Sequence, residues 1–207
     1  MRPFELYTAE TAAPDIRDVL RARQKTFGFL PNIVATVASS PEASQAFFSA
    51  DLHYARCSLS TAERETVALV TSLENNSGYC IAGHSALAYQ QGVIPAAVSA
   101  LRLGQTIQDI KLQTLADFTR SVIRNRGHVS QSDLIEIFDV GFNPAQVIEV
   151  IFGISLKMFT NMVSNATALP LDPEFLPFSW LEKPTDQISN NHSNHQKRDN
   201  HDKYTHD

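Results

Sequence analysis

Apolar residues recur at helical spacing along almost the whole chain, and this periodicity restricts the possible folds more than any other feature of the sequence. No run of alternating apolar and polar residues bounded by turn residues indicates a β-strand. Start and stop signals divide the pattern into helices at about 14–26, 32–37, 41–56, 61–74, 79–91, 107–125 and 144–166, with shorter elements after Pro95 and Ser130. We therefore predict an all-α fold.

The composition of the chain changes after Pro170. Prolines punctuate a segment that still contains Phe175, Phe178 and Trp180, and we predict that it packs over the helical body as an extended C-terminal arm. The residues that follow are polar, rich in Asn, His and Asp, and too poor in apolar side chains to offset the entropy lost on ordering. The expected organisation is a single domain over residues 1–184 and a disordered tail over residues 185–207.

Charge and hydropathy narrow the classes of partner. The chain has 207 residues, of which 43% are hydrophobic, enough to bury one substantial core. Acidic residues outnumber basic ones and give a formal net charge of -5, so we expect no nucleic acid partner. No apolar run approaches the roughly 20 residues of a membrane-spanning helix. Acidic residues near the N-terminus interrupt the apolar segment that an export signal would need. We expect a cytoplasmic protein with no membrane partner.

The most specific pattern in the sequence surrounds a cysteine. Cys57 and Cys80 are the only two cysteines, too few for a disulfide framework and compatible with a reducing compartment. Ser77, Cys80 and His84 follow one another at offsets of three and four, which aligns them on one side of a helix. Cys80 falls in the first turn of that helix, where unpaired backbone N–H groups favour a thiolate, and a neighbouring imidazole can take its proton.

Glu65 lies one helix earlier than this cysteine. A turn that begins at Asn75 would lay the two helices antiparallel, and in matching register Glu65 would reach His84. A carboxylate beside an imidazole fixes the tautomer of the ring and raises its basicity. We therefore predict a thiol site of Cys80, His84 and Glu65, although the spacing alone does not establish the contact.

The same segment resembles the core motif of alkylhydroperoxidase D-like proteins, a branch of the carboxymuconolactone decarboxylase superfamily. That motif has the form E…C-x-x-C-x-x-x-H. The residues that carry the resemblance are Leu59, Ser60, Glu63, Arg64, Glu65, Asn75, Tyr79, Cys80, His84 and Ala88. We place the core motif within residues 44–128, and the resemblance extends with lower specificity over most of residues 4–180. It implies an alkylhydroperoxidase D-like helical bundle and an antioxidant function.

The resemblance also implies a role for each motif position. In the family, the second cysteine attacks the peroxide, the first resolves the sulfenic acid as a disulfide, and the glutamate and histidine form a proton relay. Here Cys80 matches the attacking thiol, whereas Ser77 occupies the first cysteine position and cannot form a disulfide. Reduction of Cys80 would then require an external thiol or Cys57; otherwise peroxidase activity is lost. The family further implies a hydroperoxide substrate, no cofactor, and a homo-oligomer, either a trimer or a hexamer.

Each candidate residue also has a purely structural interpretation. Cys80 and Cys57 could be small packing residues, and His84 a hydrogen-bonded core histidine. Ser77 at the N-cap would accept a hydrogen bond from the Cys80 backbone N–H, which we favour over a catalytic role. No metal site is expected, because the tail histidines lack fixed ligand spacing.

Two other functions remain open at this stage. The chain could be a non-catalytic member of the family whose oligomer serves as a binding or scaffold protein, in which case Cys80 would be unreactive. Alternatively, it could be a carboxymuconolactone-type decarboxylase that uses general acid–base residues on a carboxylated substrate. The E…C-x-x-x-H arrangement argues against the decarboxylase, because it resembles the peroxidase branch.

Overall fold

The computed structural model describes residues 4–180, and these residues form nine α-helices and two short 3₁₀ helices without any strand. The α-helices are α1 (Arg17–Phe27), α2 (Asn32–Val37), α3 (Pro41–Tyr54), α4 (Thr61–Glu74), α5 (Gly78–Gln90), α6 (Pro95–Leu103), α7 (Ile110–Arg124), α8 (Gln131–Asp139) and α9 (Pro144–Ala166). The all-α prediction is confirmed. The tail predicted to be disordered lies outside the described residues.

Helix α4 is the central element of the bundle and contacts α5, α6, α7 and α9. It is buried nearly all round, so it cannot be recognised by a single apolar stripe. Three of its buried residues carry hydroxyl groups: Thr66, Thr71 and Ser72 each donate a hydrogen bond to the carbonyl four residues earlier. Its surroundings therefore hold α4 rigidly, together with the candidate residue Glu65.

The turn between α4 and α5 sets the register of the candidate site. Asn76 has a left-handed φ of 49°, which asparagine tolerates better than most residues, and the backbone N–H of Ser77 donates to the carbonyl of Ser72 at 2.9 Å. The chain thus reverses within a few residues. Helix α5 returns along α4, as the turn at Asn75 predicts.

Helix α9 closes the site from the other side. It is 23 residues long, and by length and hydropathy alone it would qualify as a membrane-spanning helix. The sequence-based expectation that no segment would approach this limit was therefore wrong. A core helix has the same composition, and α9 packs one face against α2, α3, α4, α5 and α7.

The C-terminal segment differs from the extended arm predicted from the sequence. It packs over the body as expected, but Pro173–Phe178 is a 3₁₀ helix against α5. Pro173 and Pro177 fix φ near the value of a 3₁₀ turn, which accounts for the local winding. Phe175 is buried by this winding and joins Tyr79 and Cys80 in one apolar cluster.

Candidate active site

Cys80 is placed in the first turn of α5 and is buried, with 5% of its surface exposed. The nearest polar side chain is Ser164 of α9, whose Oγ lies 3.8 Å from the Cys80 Sγ. Both cysteines are free thiols. The Ser164 hydroxyl donates to the Asn161 carbonyl at 3.0 Å, so the Cys80 thiol is the donor across this contact. The position of Cys80 at a helix N-terminus is one where the helix dipole favours negative charge.

Ser77 occupies the N-cap position of α5, but its hydroxyl does not cap the helix, so the structural interpretation favoured from the sequence was wrong. Its Oγ lies 2.7 Å from the Oγ of Ser164, and both residues are buried. A second polar partner accounts for the difference, because the Ser77 hydroxyl is engaged by a buried hydroxyl of α9 instead of a backbone N–H of its own helix. The Ser77 side chain therefore reaches α9 and supports the hydroxyl that faces Cys80.

Glu65 and His84 are in direct contact, as the antiparallel arrangement of α4 and α5 predicts. The Glu65 Oε2 lies 2.8 Å from the His84 Nδ1, and Glu65 is only 8% exposed. The geometry places a proton on Nδ1, because that nitrogen must donate to the carboxylate. Cys80 makes no hydrogen bond to His84 in this structure, so the direct proton transfer expected from the spacing is not pre-formed.

Lys157 of α9 is a site residue that the sequence analysis missed. Its Nζ lies 2.9 Å from the His84 Nε2. An ammonium group has donors and no acceptor, so the facing ring nitrogen must be unprotonated and accept the hydrogen bond. The result is an ordered chain from Glu65 through His84 to Lys157. One signal in the sequence points to this residue: Glu149 and Lys157 are the only charged residues of α9.

These groups converge on one cavity of about 270 Å³. Its walls are largely apolar, and the residues that provide them include Phe27, Ile33, Phe47, Phe48, Leu87 and Phe175. Cys80, Glu65, His84 and Lys157 line the same space. A mostly apolar cavity with a few convergent polar groups is the usual form of a small-molecule site.

Further polar groups lie in the cavity wall on α1 and α3. Arg23 pairs with Asp51 at 2.9 Å and stacks on the ring of Phe48, but its Nη2 has no hydrogen-bond partner. The hydroxyl of Tyr54 is also buried without a partner, and this burial raises the pKa of Tyr54 well above its ordinary value. The Tyr54 hydroxyl packs so closely on Gly153 that no side chain fits at that position.

Hydrogen bonds link the C-terminal arm, the α5 residue next to Cys80, and α2. The Tyr79 hydroxyl donates to a carboxylate oxygen of Asp172 and accepts from the Ile33 backbone N–H at 3.1 Å. Asp172 also accepts from the backbone N–H of Asn32 at 3.0 Å. Burial is the main cause that raises the pKa of both Tyr79 and Asp172 above their ordinary values. This network fixes the wall that carries Phe175.

Cys57 is not among the residues that line the cavity. It lies just beyond α3, is partly exposed, and packs against the core cluster that contains Leu59 and Val67. Nothing in this arrangement pairs it with Cys80. Within residues 4–180, no group of three or more His, Cys, Asp or Glu side chains is placed to hold a metal ion.

Comparison with known proteins agrees with this geometry. The model of the carboxymuconolactone decarboxylase family matches residues 39–111, which include α4 and α5. This match supports placing the chain in the carboxymuconolactone decarboxylase superfamily. Among curated proteins, no significant match is found.

Solved structures share the all-helical, alkylhydroperoxidase D-like fold of this chain. An alkylhydroperoxidase AhpD core protein, a peroxidase-related protein from Ralstonia eutropha JMP134, superposes with a TM-score of 0.75 at 22% identity, over 87% of this chain and 97% of that one. A peroxidase-related protein from Silicibacter sp. TM1040 gives 0.73 at 23% identity, over 84% and 95%. The debrominase Bmp8 gives 0.70 at 20% identity, over 80% and 90%.

Proposed function

We propose that this protein is a thiol-dependent hydroperoxide reductase of antioxidant defence, with Cys80 as its nucleophile. The observation that carries the proposal is the convergence of the Cys80 thiol and the Glu65–His84 pair on one largely apolar cavity. Apolar walls favour an organic hydroperoxide over hydrogen peroxide, because they bury the hydrocarbon part of the organic substrate and hydrogen peroxide has none. The superfamily and its peroxidase-related neighbours support the same chemistry.

The proposed reaction begins with the Cys80 thiolate. Its sulfur attacks the terminal oxygen of the hydroperoxide and becomes a sulfenic acid, while the O–O bond breaks and an alcohol leaves. Ser164 lies beside the sulfur and can donate to the thiolate once it releases its hydrogen bond to the Asn161 carbonyl, and Ser77 is placed to donate to Ser164. The Glu65–His84 pair orders the polar side of the same cavity.

The proposed cycle is completed by an external thiol. Ser77 cannot resolve the sulfenic acid, and Cys57 lies outside the cavity. A small thiol would condense with the sulfenic acid to a mixed disulfide and water, and a second thiol would release Cys80. This requirement fits a reducing, cytoplasmic compartment. We also propose that the working form is a homo-oligomer, a trimer or a hexamer.

The proposal is tested by hydroperoxide consumption with dithiothreitol as reductant. We expect the wild type to consume cumene hydroperoxide and to trap a sulfenic acid at Cys80 when dithiothreitol is omitted. The Cys80→Ser variant should lose consumption entirely, whereas Cys57→Ser, which removes the thiol outside the cavity, should retain it. Undiminished consumption by Cys80→Ser would refute the peroxidase function.

A lactone decarboxylase is the second candidate, and the cations of the cavity favour it. Arg23, Arg64 and Lys157 all line the cavity and would suit a carboxylated substrate. Decarboxylation of carboxymuconolactone that persists in Cys80→Ser would establish this function in place of the first. Because the fold is shared with a debrominase, brominated pyrroles belong in the same substrate panel.

A further inference from the structure

Lys157 stands out in the cavity because its ammonium group is held by a ring nitrogen alone. Among residues 4–180 it has no acidic partner, and its one hydrogen bond goes to the neutral Nε2 of His84. By contrast, Arg23 in the same cavity wall is paired with Asp51. Arg64 of the cavity also has no acidic partner in the described part of the chain, but its guanidinium is held by the Leu59 carbonyl and the Thr61 hydroxyl. An ammonium group has three donors, so two N–H groups of Lys157 remain available to a ligand.

The position of Lys157 relative to Cys80 follows from the pairing of α5 with α9. Cys80 contacts Ser164, and one turn further along α5, His84 contacts Lys157. The two helices therefore run antiparallel: Cys80 and His84 are one turn apart on α5, roughly 6 Å along its axis, whereas Ser164 and Lys157 are about two turns apart on α9, roughly 10 Å, and the long lysine side chain spans the difference. Thr160 lies between them on α9 and also lines the cavity. A peroxide attacked by the Cys80 sulfur would extend from that sulfur along the groove towards the lysine.

We propose that Lys157 is a catalytic residue that donates a proton to the leaving oxygen, and that Glu65 and His84 hold it in position. This assignment rests on the proposed peroxidase function. The electron pair of the Cys80 sulfur forms the S–O bond, and the pair of the broken O–O bond passes to the leaving oxygen. That oxygen takes a proton from the Lys157 ammonium and departs as an alcohol. Lys157, then a neutral amine, regains a proton from water at the cavity mouth.

The arrangement accounts for the occupation of both nitrogens of His84. A histidine that served as the base for Cys80 would keep one nitrogen free for the thiol, whereas here Nδ1 is held by Glu65 and Nε2 by Lys157. The carboxylate orients the ring, and the ring orients the ammonium. Glu65 and His84 are positioning residues in this scheme, because they act through Lys157.

The test compares two oxidants that differ in the basicity of the leaving oxygen. tert-Butyl hydroperoxide releases a strongly basic alkoxide that needs a proton, whereas peracetic acid releases acetate, which does not. All variants are made in the Cys57→Ser background, so that Cys80 is the one thiol, and the rate of sulfenic acid formation is measured under single-turnover conditions. Lys157→Gln retains an N–H donor for His84 but carries no acidic proton.

We expect Lys157→Gln to slow the reaction with tert-butyl hydroperoxide by about 100-fold and the reaction with peracetic acid far less. Lys157→Met, which also removes the hydrogen bond to His84, should show the same selectivity. Lys25→Met removes an equal charge from an exposed position of α1 and should change neither rate. Circular dichroism confirms that each variant is folded.

Two results would overturn the assignment. If Lys157→Gln slows both oxidants by the same factor, or slows neither, the lysine does not protonate the leaving oxygen, although Cys80 remains the peroxidatic thiol. If the Cys80 of the parent protein forms no sulfenic acid with either oxidant, the peroxidase function fails and the role of Lys157 falls with it.

Discussion

Position 77 decides how the Cys80 sulfenic acid is handled. The residue lies three positions before Cys80 at the start of α5, where side chains at this offset are neighbours. Its hydroxyl instead supports Ser164. Ser77 thus supports the hydrogen bonding around Cys80 but provides no resolving thiol. Cys80 can therefore form a sulfenic acid that position 77 cannot convert to a disulfide.

We predict that Ser77→Cys forms an intramolecular disulfide with Cys80 after one equivalent of hydroperoxide. The separation of neighbouring side chains at this offset is close to that needed for a disulfide. Intact mass and the loss of titratable thiols report the bond, and dithiothreitol should reverse it. Ser77→Ala is the matched control, since it removes the same hydroxyl without adding a thiol. A Ser77→Cys protein in which Cys80 is oxidised to a sulfenic acid while the introduced thiol remains titratable would contradict the prediction.

Among the individual site residues, the sequence predicted some and missed others. Glu65 and His84 could be found because their contact depends on local offsets and one short turn. Lys157 could not, because it is 73 positions from His84 and meets it only through the packing of α9 on α5. The orientation of the Ser77 hydroxyl was missed for the same reason: its partner Ser164 is 87 positions away.

Among the helices, α4 depends most on its N-terminal cap. Ser60 and Glu63 form a capping box, and Glu63 also pairs with Lys111 of α7 at 2.7 Å. Burial alone would raise the pKa of Glu63, but the hydrogen bonds from Lys111 and Ser60 outweigh it and lower the pKa below its usual value. The cap therefore connects the central helix to α7 and is strongest when Glu63 is ionised.

We predict that Glu63→Gln lowers the free energy of unfolding by about 1 kcal/mol near neutral pH. Gln retains an acceptor for the Ser60 N–H, so the loss reports the charge of Glu63. A lowered folded-state pKa stabilises the protein above the unfolded pKa, and this contribution disappears as pH falls through the folded value. Urea unfolding should therefore show the difference from wild type shrinking in acid. A difference that is independent of pH would assign the effect to shape and not to charge.

Helix boundaries were largely predictable because the caps are encoded within a few residues. Asn143-Pro144 starts α9 and Ser60 caps α4, as the sequence indicates. Helix α7 starts later than predicted, at Ile110, because the Asp109 side chain caps it by accepting from the Leu112 N–H. The arm was predicted as extended because its winding depends on burial of Phe175 against α5, which no local pattern encodes.

On the scale of the whole molecule, the outer face of α9 is an exposed apolar surface. Ile148, Ile151, Phe152 and Met162 follow helical spacing, and Ile148 and Met162 are 65% and 59% exposed. This stripe, together with the buried face, gives α9 the hydropathy of a membrane-spanning helix. Contiguous exposed apolar surface on a folded chain is typical of an interface.

We predict that the α9 stripe is covered by another copy of the chain in a trimer or hexamer. Light scattering after size-exclusion chromatography should give a multiple of the 22.9 kDa chain mass, and Ile148→Asp should shift the protein towards the monomer because it buries a charge at the contact. Ile110→Asp makes the same change at a 74% exposed position on α7 and should leave the mass unchanged. A monomeric wild type would disprove the assembly, and binding to lipid vesicles that Ile148→Asp abolishes would assign the stripe to a membrane surface. Dissociation by Ile110→Asp alone would instead place the contact on α7.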